Sequence, residues 1–181
     1  NDFDSFGVFD PCIVDEGTSL RMWFSASDGG KLRIGYATST DGIIWVKNSG
    51  AVLDLGEFNK FDEDGASSPT VLKIGSTYHM WYIGVSGVDT GLGYATSTDG
   101  ITWTRQNSAN AVFFPTQTGT FDSTTIGGPS VVLFNNVYEL YYTGYQGSKY
   151  QIGIATSVDG THWVRRNGGN PVLVPTNGYF D

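Results

Sequence analysis

The carboxylates that could carry acid–base chemistry in this sequence are Asp10, Glu63 and Asp64. Asp10 stands directly before Pro11, and the same proline pattern returns twice later in the chain with serine and then glycine before it. Because function in repeat proteins tends to lie where the copies differ, Asp10 is the first candidate for a functional carboxylate. Glu63 and Asp64 are candidates for the partner acid. The alternatives are that Asp10 bonds nearby backbone and that the other two lie in an ordinary solvated loop.

A three-fold internal repeat forms the scaffold for these side chains. Residues 37–45 return as residues 95–103 and 155–163, and the Asp-Gly steps at Asp41, Asp99 and Asp159 are 58 and 60 residues apart. A Phe-Asp pair recurs with this step, at positions 3–4, 61–62, 121–122 and 180–181. Such repetition indicates stacked units, none of which buries its apolar face alone. We predict one propeller unit over residues 1–181, with repeats of about 3–60, 61–120 and 121–179, and with 180–181 beginning the next repeat.

The composition excludes several classes of protein. With 25 Gly, 10 Tyr, 11 Phe, 5 Trp and 15% charged residues, the chain is typical of a turn-rich, all-β protein. A net charge of -8 argues against nucleic acid and anionic membranes as partners. The two His and the lone Cys12, which we interpret as a small buried hydrophobe, have no metal-ligand spacing, so we predict no metal and no cofactor. The richness in Ser, Thr, Asn and Gly favours an extracellular or secreted protein.

Each repeat contains the pattern of four β-strands. Apolar runs at 11–14, 69–74 and 129–134 predict the first strand, and aromatic ribbons at 20–24, 78–82 and 138–142 predict the second. The third strand is predicted at 34–39, 92–97 and 152–157. The Asp-Gly pair then supplies a tight turn into a fourth strand led by a tryptophan. Four antiparallel strands in about 60 residues fit a β-propeller blade, so the predicted fold is an all-β propeller with three blades per chain.

Three blades do not close a ring, since propellers usually have ~4 to 8. A homodimer that joins three blades to three is one solution, and closed symmetry favours it. The remaining blades of a longer chain are the other solution.

Three segments resemble a known family: residues 9–11 (Phe-Asp-Pro), 22–24 (Met-Trp-Phe) and 34–45 (Ile-Gly-Tyr-Ala-Thr-Ser-Thr-Asp-Gly-Ile-Ile-Trp). Together they look like a blade of the five-bladed propeller glycoside hydrolases. That superfamily includes the family 43 arabinanases and xylosidases and the related invertase, levansucrase and family 130 groups, which are families 32, 68 and 130. The resemblance covers the whole chain and implies a carbohydrate ligand.

In the family, three carboxylates at the mouth of the central tunnel act on the substrate. An Asp before the first blade's proline is the base, an Asp at the same place in the second blade tunes the acid, and a Glu two residues before the third proline is the acid. The matching positions here are Asp10, Ser68 and Gly127. The resemblance therefore implies a base at Asp10 and an incomplete set, unless these blades correspond to later blades of a longer parent.

Aromatic residues on the loops of the predicted mouth are candidates for sugar binding. Tyr145 and Tyr150 flank one loop and Phe58 lies in another. Aromatic faces stack on the C–H faces of sugar rings, although simple packing is the alternative reading of each ring. We add Ser68 to the predicted substrate-binding residues, because it lies one blade along from Asp10 at the same position.

The sequence therefore predicts a carbohydrate-binding or carbohydrate-processing propeller that lacks a complete catalytic set. An active glycoside hydrolase, or part of one, is an alternative, and so is an assembly propeller without a small ligand. Residues 39–45 are also similar to the Asp-box turn of sialidases. Sialidases need an arginine cluster, however, and Arg33 alone lies near the predicted mouth.

Overall fold

The computed structural model describes residues 2–116 and 119–176. Within them the chain consists of strands and turns, which confirms the all-β prediction, and its helices are two three-residue 3-10 turns, Asn107–Ala109 and Asn167–Gly169. No helix in these ranges is long and apolar enough to cross a membrane. The strands are β1 Gly7–Asp15, β2 Leu20–Ser27, β3 Leu32–Ser39, β4 Val46–Lys47, β5 Gly65–Ile74, β6 Thr77–Ser86, β7 Asp89–Ser97, β8 Thr104–Arg105, β9 Thr125–Phe134, β10 Val137–Gln146, β11 Lys149–Ser157 and β12 Val164–Arg165.

The strands pair as three antiparallel groups of four in chain order, β1–β4, β5–β8 and β9–β12, which we call units 1, 2 and 3. Units 1 and 2 are joined by a single parallel pair between Leu32 and Gly65. The fourth strand of each unit is only two residues long. In unit 1, for example, the pairing of β4 with β3 ends at Lys47. The chain then pairs with β3 once more, through an isolated bridge between Leu53 and Ile34.

Tryptophans of the second strand join each unit to the next. The indole of Trp23 is fully buried and donates to the carbonyl of Gly100 in the Asp-Gly turn of unit 2, at 2.8 Å. Trp81 makes the same bond to Gly160 of unit 3, at 2.7 Å. Trp103 packs edge-on against Trp23, with 6.0 Å between ring centroids. The Asp-Gly-x-x-Trp segment therefore forms part of the contact between units.

The Asp-Gly turn is held by hydrogen bonds from its backbone to two nearby side chains. One carboxylate oxygen of Asp41 accepts the backbone N–H groups of Ile43 and Ile44, at 2.9 and 2.8 Å. The hydroxyl of Ser39 accepts the N–H of Gly42 at 2.9 Å. The same bonds recur in units 2 and 3, so this segment stabilises the scaffold.

The recurring Phe-Asp pair supplies one buried carboxylate to unit 2 and one to unit 3. Asp62 is fully buried and accepts hydrogen bonds from the hydroxyl of Tyr82 and from Arg105 of β8, at 2.8 and 2.7 Å. Arg105 also donates to the backbone carbonyl of Asp54. Unit 3 repeats the arrangement around Asp122. The pair at 180–181, with which we predicted another repeat to begin, lies outside the described residues.

Candidate functional site

The residue before each first-strand proline lies at a β-bulge. The register of β1 with β2 shifts between Phe9 and Cys12, and β5 with β6 shifts at the equivalent place. Asp10 and Ser68 both have left-handed backbone, with φ of 49° and 50°. Such a conformation is uncommon for L residues and recurs at functional sites, while bulges re-aim the side chain that they carry. Two of the predicted site residues therefore have the backbone that a functional position can require.

The structure brings Asp10 and Ser68 together across the junction of units 1 and 2. The hydroxyl of Ser68 donates to the carboxylate of Asp10 at 2.8 Å. Ser25, which is fully buried on β2, donates to the same carboxylate oxygen at 3.4 Å and accepts the backbone N–H of Ser68 at 2.7 Å. Ser25 thus connects both bulges, and together the three residues form what we call the Asp10 cluster.

Ser25 was missed by the sequence analysis. The equivalent positions hold Ile83 in unit 2 and Thr143 in unit 3, so a hydroxyl at this position is shared by units 1 and 3 and gives no signal specific to unit 1. The role of Ser25 depends on the two bulges, which strand periodicity does not reveal.

The third unit offers no carboxylate at the corresponding positions. Gly128, with φ of 49°, takes the place of Asp10, and a Cβ added at Gly127 would meet no atom within 4 Å. The position at which the resemblance expected a catalytic Glu is therefore open space. A polar ligand group can approach the backbone closely there.

Glu63 and Asp64 are held by neighbours other than the Asp10 cluster. Glu63 accepts from the backbone N–H of Asn59 at 2.7 Å and from the hydroxyl of Ser86 at 2.8 Å. Asp64 pairs with Lys31 of unit 1 at 2.5 Å, and this contact, followed by the backbone N–H of Gly87, lowers the pKa of its carboxyl. Both carboxylates therefore order the loops between units 1 and 2.

The predicted aromatic residues form one pair and one separate ring. Tyr145 and Tyr150 face each other across the β10–β11 hairpin, with ring centroids 4.7 Å apart, and the hydroxyl of Tyr145 donates to the carbonyl of Gly147. Tyr150 remains largely exposed, so one ring face is accessible to a ligand. Phe58 is exposed on the loop between units 1 and 2. The hairpin pair is the better-ordered stacking surface.

Arg33, which the sequence analysis placed near the predicted mouth, is already paired. Its guanidinium contacts Asp28 at 2.8 Å and Asp54 at 2.7 Å. The backbone N–H groups of Lys31 and Gly30, together with Arg33, lower the pKa of Asp28 to about 2. An arginine that is neutralised in this way does not resemble the free cationic cluster of a sialidase.

The ranges 2–116 and 119–176 contain no group of three or more His, Cys, Asp or Glu residues that could hold a metal ion. The Asp10 cluster accordingly consists of one carboxylate and two hydroxyls. Groups of these kinds can take part in acid–base catalysis and can form hydrogen bonds to a hydroxylated ligand.

Comparison with known proteins identifies the family. The model of glycoside hydrolase family 130, described as beta-1,4-mannooligosaccharide phosphorylase, matches residues 7–120. The chain belongs to glycoside hydrolase family 130. This family-130 chain is 30% identical over 176 residues to the uncharacterized proteins MT1551 and Rv1502 of Mycobacterium tuberculosis, in an alignment that covers 87% of the chain and 56% of each relative. It therefore spans about half the length of these curated relatives.

Solved structures share the fold of this family-130 chain. The family 117 glycoside hydrolase Zg3597 of Zobellia galactanivorans superposes with a TM-score of 0.82 at 16% identity, over 94% of this chain and 58% of its own. A structure from work on family-130 glycoside hydrolases that target beta-1,2 mannosidic linkages in Candida mannan has a TM-score of 0.72 at 22% identity, over 96% and 54%. Together with the family match, these likenesses confirm the predicted resemblance to propeller glycoside hydrolases at the level of the fold, whereas the particular resemblance to families 43, 32 and 68 stays a prediction.

Proposed function

We propose that the chain supplies part of an active site that cleaves glycosidic bonds in oligosaccharides with β-linked mannose, and that Asp10 is its reacting carboxylate. The family-130 match carries the proposal, because residues 7–120 include both strands that present Asp10 and Ser68. The printed description of that family supplies the substrate class, and the linkages named for the family-130 structure are also mannosidic. We propose the extracellular location that the composition favours.

The number of carboxylates in the cluster bears on the type of reaction. Inverting hydrolysis needs one carboxyl group to protonate the leaving oxygen and a second to activate water, ~6.5 to 9.5 Å away. A phosphate dianion is itself a nucleophile, so phosphorolysis needs only the proton donor. Asp10 would be the base in hydrolysis, as the resemblance implies, and the donor in phosphorolysis. The presence of one carboxylate among the three matching positions, Asp10, Ser68 and Gly127, favours phosphorolysis.

Release of reducing sugar and of sugar 1-phosphate from mannooligosaccharides tests the proposal, with and without inorganic phosphate. We expect turnover to depend on phosphate, and Asp10→Asn to reduce it by roughly 10²-fold or more, because general acid–base catalysis contributes about that much. Asp89→Asn, which changes an exposed carboxylate of the β6–β7 hairpin, is the matched control. Equal turnover of the two variants would remove Asp10 from the reaction.

A non-catalytic sugar-binding module is the second candidate function. The serine and glycine at two of the three catalytic positions favour it, since a hydroxyl and an open backbone bind ligand without transferring protons. This function would be established instead by two results together. Calorimetry would detect oligosaccharide binding, and no product would form either with or without inorganic phosphate.

A further inference from the structure

The junction between units 2 and 3 differs from the first junction at one pair of positions. In unit 1, Arg33 of β3 pairs at 2.7 Å with Asp54, which follows the isolated bridge to that strand. Unit 2 has Gly91 and Phe114 at the equivalent positions, because its own isolated bridge lies at the same place. An ion pair beside the first junction is therefore replaced by a glycine and an aromatic ring beside the second.

The ring of Phe114 uses the space that the glycine leaves, and there it meets a second ring. A Cβ added at Gly91 would lie 3.5 Å from Phe114 and 3.3 Å from Phe61, so atoms of both rings lie close to one point. Phe114 is 52% exposed and Phe61 is half-buried. The two rings therefore form an apolar surface that is open to solvent between units 2 and 3.

Side-chain hydroxyl groups border this apolar surface. Ser123 and Thr124, which lead into β9, take the positions that Glu63 and Asp64 have before β5. In the part of the chain that the structure describes, the hydroxyl groups of Ser123 and Thr124 have no hydrogen-bond partner. The two rings and these two residues are among those that line a recess of about 280 Å³. We call Phe61, Phe114, Ser123 and Thr124 the second-junction recess.

We propose that the second-junction recess binds one sugar ring of a longer oligosaccharide. An aromatic face stacks on the C–H face of a sugar, and unpaired hydroxyl groups beside it can exchange hydrogen bonds with the sugar hydroxyls. The recess is slightly smaller than the ~300–1,000 Å³ that is typical of sites for drug-sized ligands, so its volume suits a single ring. The choice of a sugar rests on the proposed function, whereas the lining and the size of the recess do not.

The recess is separate from the Asp10 cluster. Thr90, which also lines the recess, lies across β6 from Gly65, and two strand spacings amount to about 10 Å. Ser68 lies three residues further along β5, which adds about 10 Å along the strand. The recess and the cluster are therefore roughly 14 Å apart. A disaccharide held at Asp10 does not reach the recess, so the recess contributes to the binding of longer chains and takes no part in the reaction itself.

Calorimetric titration with mannobiose and mannohexaose, in an Asp10→Asn background without inorganic phosphate, tests the proposal. We expect mannohexaose to bind more tightly than mannobiose. Phe114→Ala should lower the affinity for mannohexaose roughly 5- to 30-fold, which is the size expected for the loss of one stacking contact. Phe134→Ala is the matched control, because Phe134 is an exposed ring at the last position of β9, outside the recess.

A second pair of variants tests the hydroxyl groups without removing a ring. The double variant Ser123→Ala and Thr124→Ala should bind mannohexaose roughly 3- to 10-fold more weakly, because it loses the hydrogen bonds to the sugar. The double variant Ser76→Ala and Thr98→Ala removes two exposed hydroxyl groups outside the recess and should bind as the parent does.

Steady-state kinetics adds a measurement that a merely structural role would not change selectively. In the protein with Asp10 intact, Phe114→Ala should raise KM for mannohexaose and leave both kcat and the KM for mannobiose unchanged. Failure of the two proposals gives different results: a chain that binds mannohexaose through Phe114 but forms no product contradicts only the proposed function.

Two results would overturn the recess as a sugar site. Phe114→Ala and Phe134→Ala could bind mannohexaose with equal affinity, which would mean that the ring of Phe114 only packs. Phe114→Ala could also change kcat and the KM of both substrates alike, which would mean that the substitution acts on the fold or on the Asp10 cluster.

Discussion

At the scale of single residues, the Asp10 cluster shows how a strained backbone is held in place. Left-handed backbone costs a residue such as Asp10 or Ser68 about 1–3 kcal/mol, and it persists only where the surrounding structure enforces it. Here Ser25 supplies the enforcement through one bond to each bulge. The proline made Asp10 and Ser68 visible in the sequence. Ser25 was invisible because its partner lies 43 residues away and depends on bulge geometry.

Ser25→Ala should destabilise the fold and reduce turnover. The change leaves the N–H of Ser68 without its acceptor, which costs roughly 1–3 kcal/mol of unfolding free energy. Denaturant unfolding measures that loss of free energy. The values of kcat and KM measure the effect of the change on the orientation of Asp10. We expect kcat to fall more than KM rises, and Ser25→Thr to restore part of it, because the hydroxyl is retained. Thr143→Ala is the control at the same position of unit 3; equal effects on kcat would contradict the role.

The Tyr145–Tyr150 pair should contribute to sugar binding through its accessible ring. We expect Tyr150→Ala to weaken oligosaccharide binding by about 1–3 kcal/mol, by analogy with other stacking contacts. Tyr145→Ala should weaken it less, because it removes only the support under Tyr150. Calorimetric titration measures the affinity of both variants. Phe134→Ala is the control for the loss of an exposed aromatic ring, because Phe134 is exposed at the last position of β9. Unchanged affinity for both tyrosine variants would show that the pair only packs.

At the scale of structural elements, the buried Asp62 fixes the segment that enters unit 2 to the last strand of the same unit. Burial raises the pKa of Tyr82 well above its usual value, so its hydroxyl stays protonated and donates to Asp62. Arg105 supplies the opposite charge from β8. Unit 1 replaces this arrangement with a more exposed pair between Asp4 and Lys47.

Arg105→Met should therefore cost far more stability than Lys47→Met. The first change leaves a buried carboxylate unpaired, which costs roughly 3–5 kcal/mol. The second removes a pair whose lysine is largely exposed, and such pairs contribute about 0–1 kcal/mol. Urea unfolding of both variants measures the difference. Similar losses of unfolding free energy in the two variants would show that the fold tolerates the buried carboxylate of Asp62 without Arg105.

Strand position was predictable at this scale, but strand length was not. The aromatic ribbons and the Asp-Gly turns lie where their patterns predicted strands and turns. The first strand, however, begins four residues before its proline: β5 begins at Gly65, ahead of Pro69. Proline usually stands at a strand edge, but a bulge lets the strand continue through it. The fourth strand, for which the sequence predicted a start but no end, spans only two residues in each unit.

At the scale of the whole molecule, repetition predicted a stacked all-β architecture, and the asymmetry between units had to come from the structure. The units share their turns, and units 1 and 2 share the tryptophan contact, yet among the described residues the Asp10 cluster exists only at the first junction. Its parts are a carboxylate and a hydroxyl from unit 1 and a hydroxyl from unit 2, and the residues Asp10 and Ser68 lie at bulges. No single repeat contains the cluster, so no pattern within one repeat could reveal it.

Acid should destabilise the molecule in two stages. Burial lowers the pKa of His79 from 6.5, so stability declines modestly as the pH falls from 6.5 through that lowered value. Backbone N–H donors lower the pKa of Asp99 and Asp159 well below 3.8, and that of Asp28 is about 2. A carboxyl with a depressed pKa in the folded state stabilises above its unfolded value and loses that contribution as the pH falls. The steeper decline should therefore lie below about pH 4.

Melting temperatures between pH 8 and pH 2 measure both stages, and two variants separate them. The double variant Asp99→Asn and Asp159→Asn keeps an acceptor oxygen in each turn but removes its charge. It should therefore melt lower at neutral pH and show a flatter curve below pH 4. His79→Gln should remove only the decline that starts near pH 6.5. If the melting temperature of the double variant falls as steeply below pH 4 as that of the unmodified protein, other carboxylates dominate the response to acid. Glu16, whose pKa is lowered by Lys73 and Tyr78, is one of these.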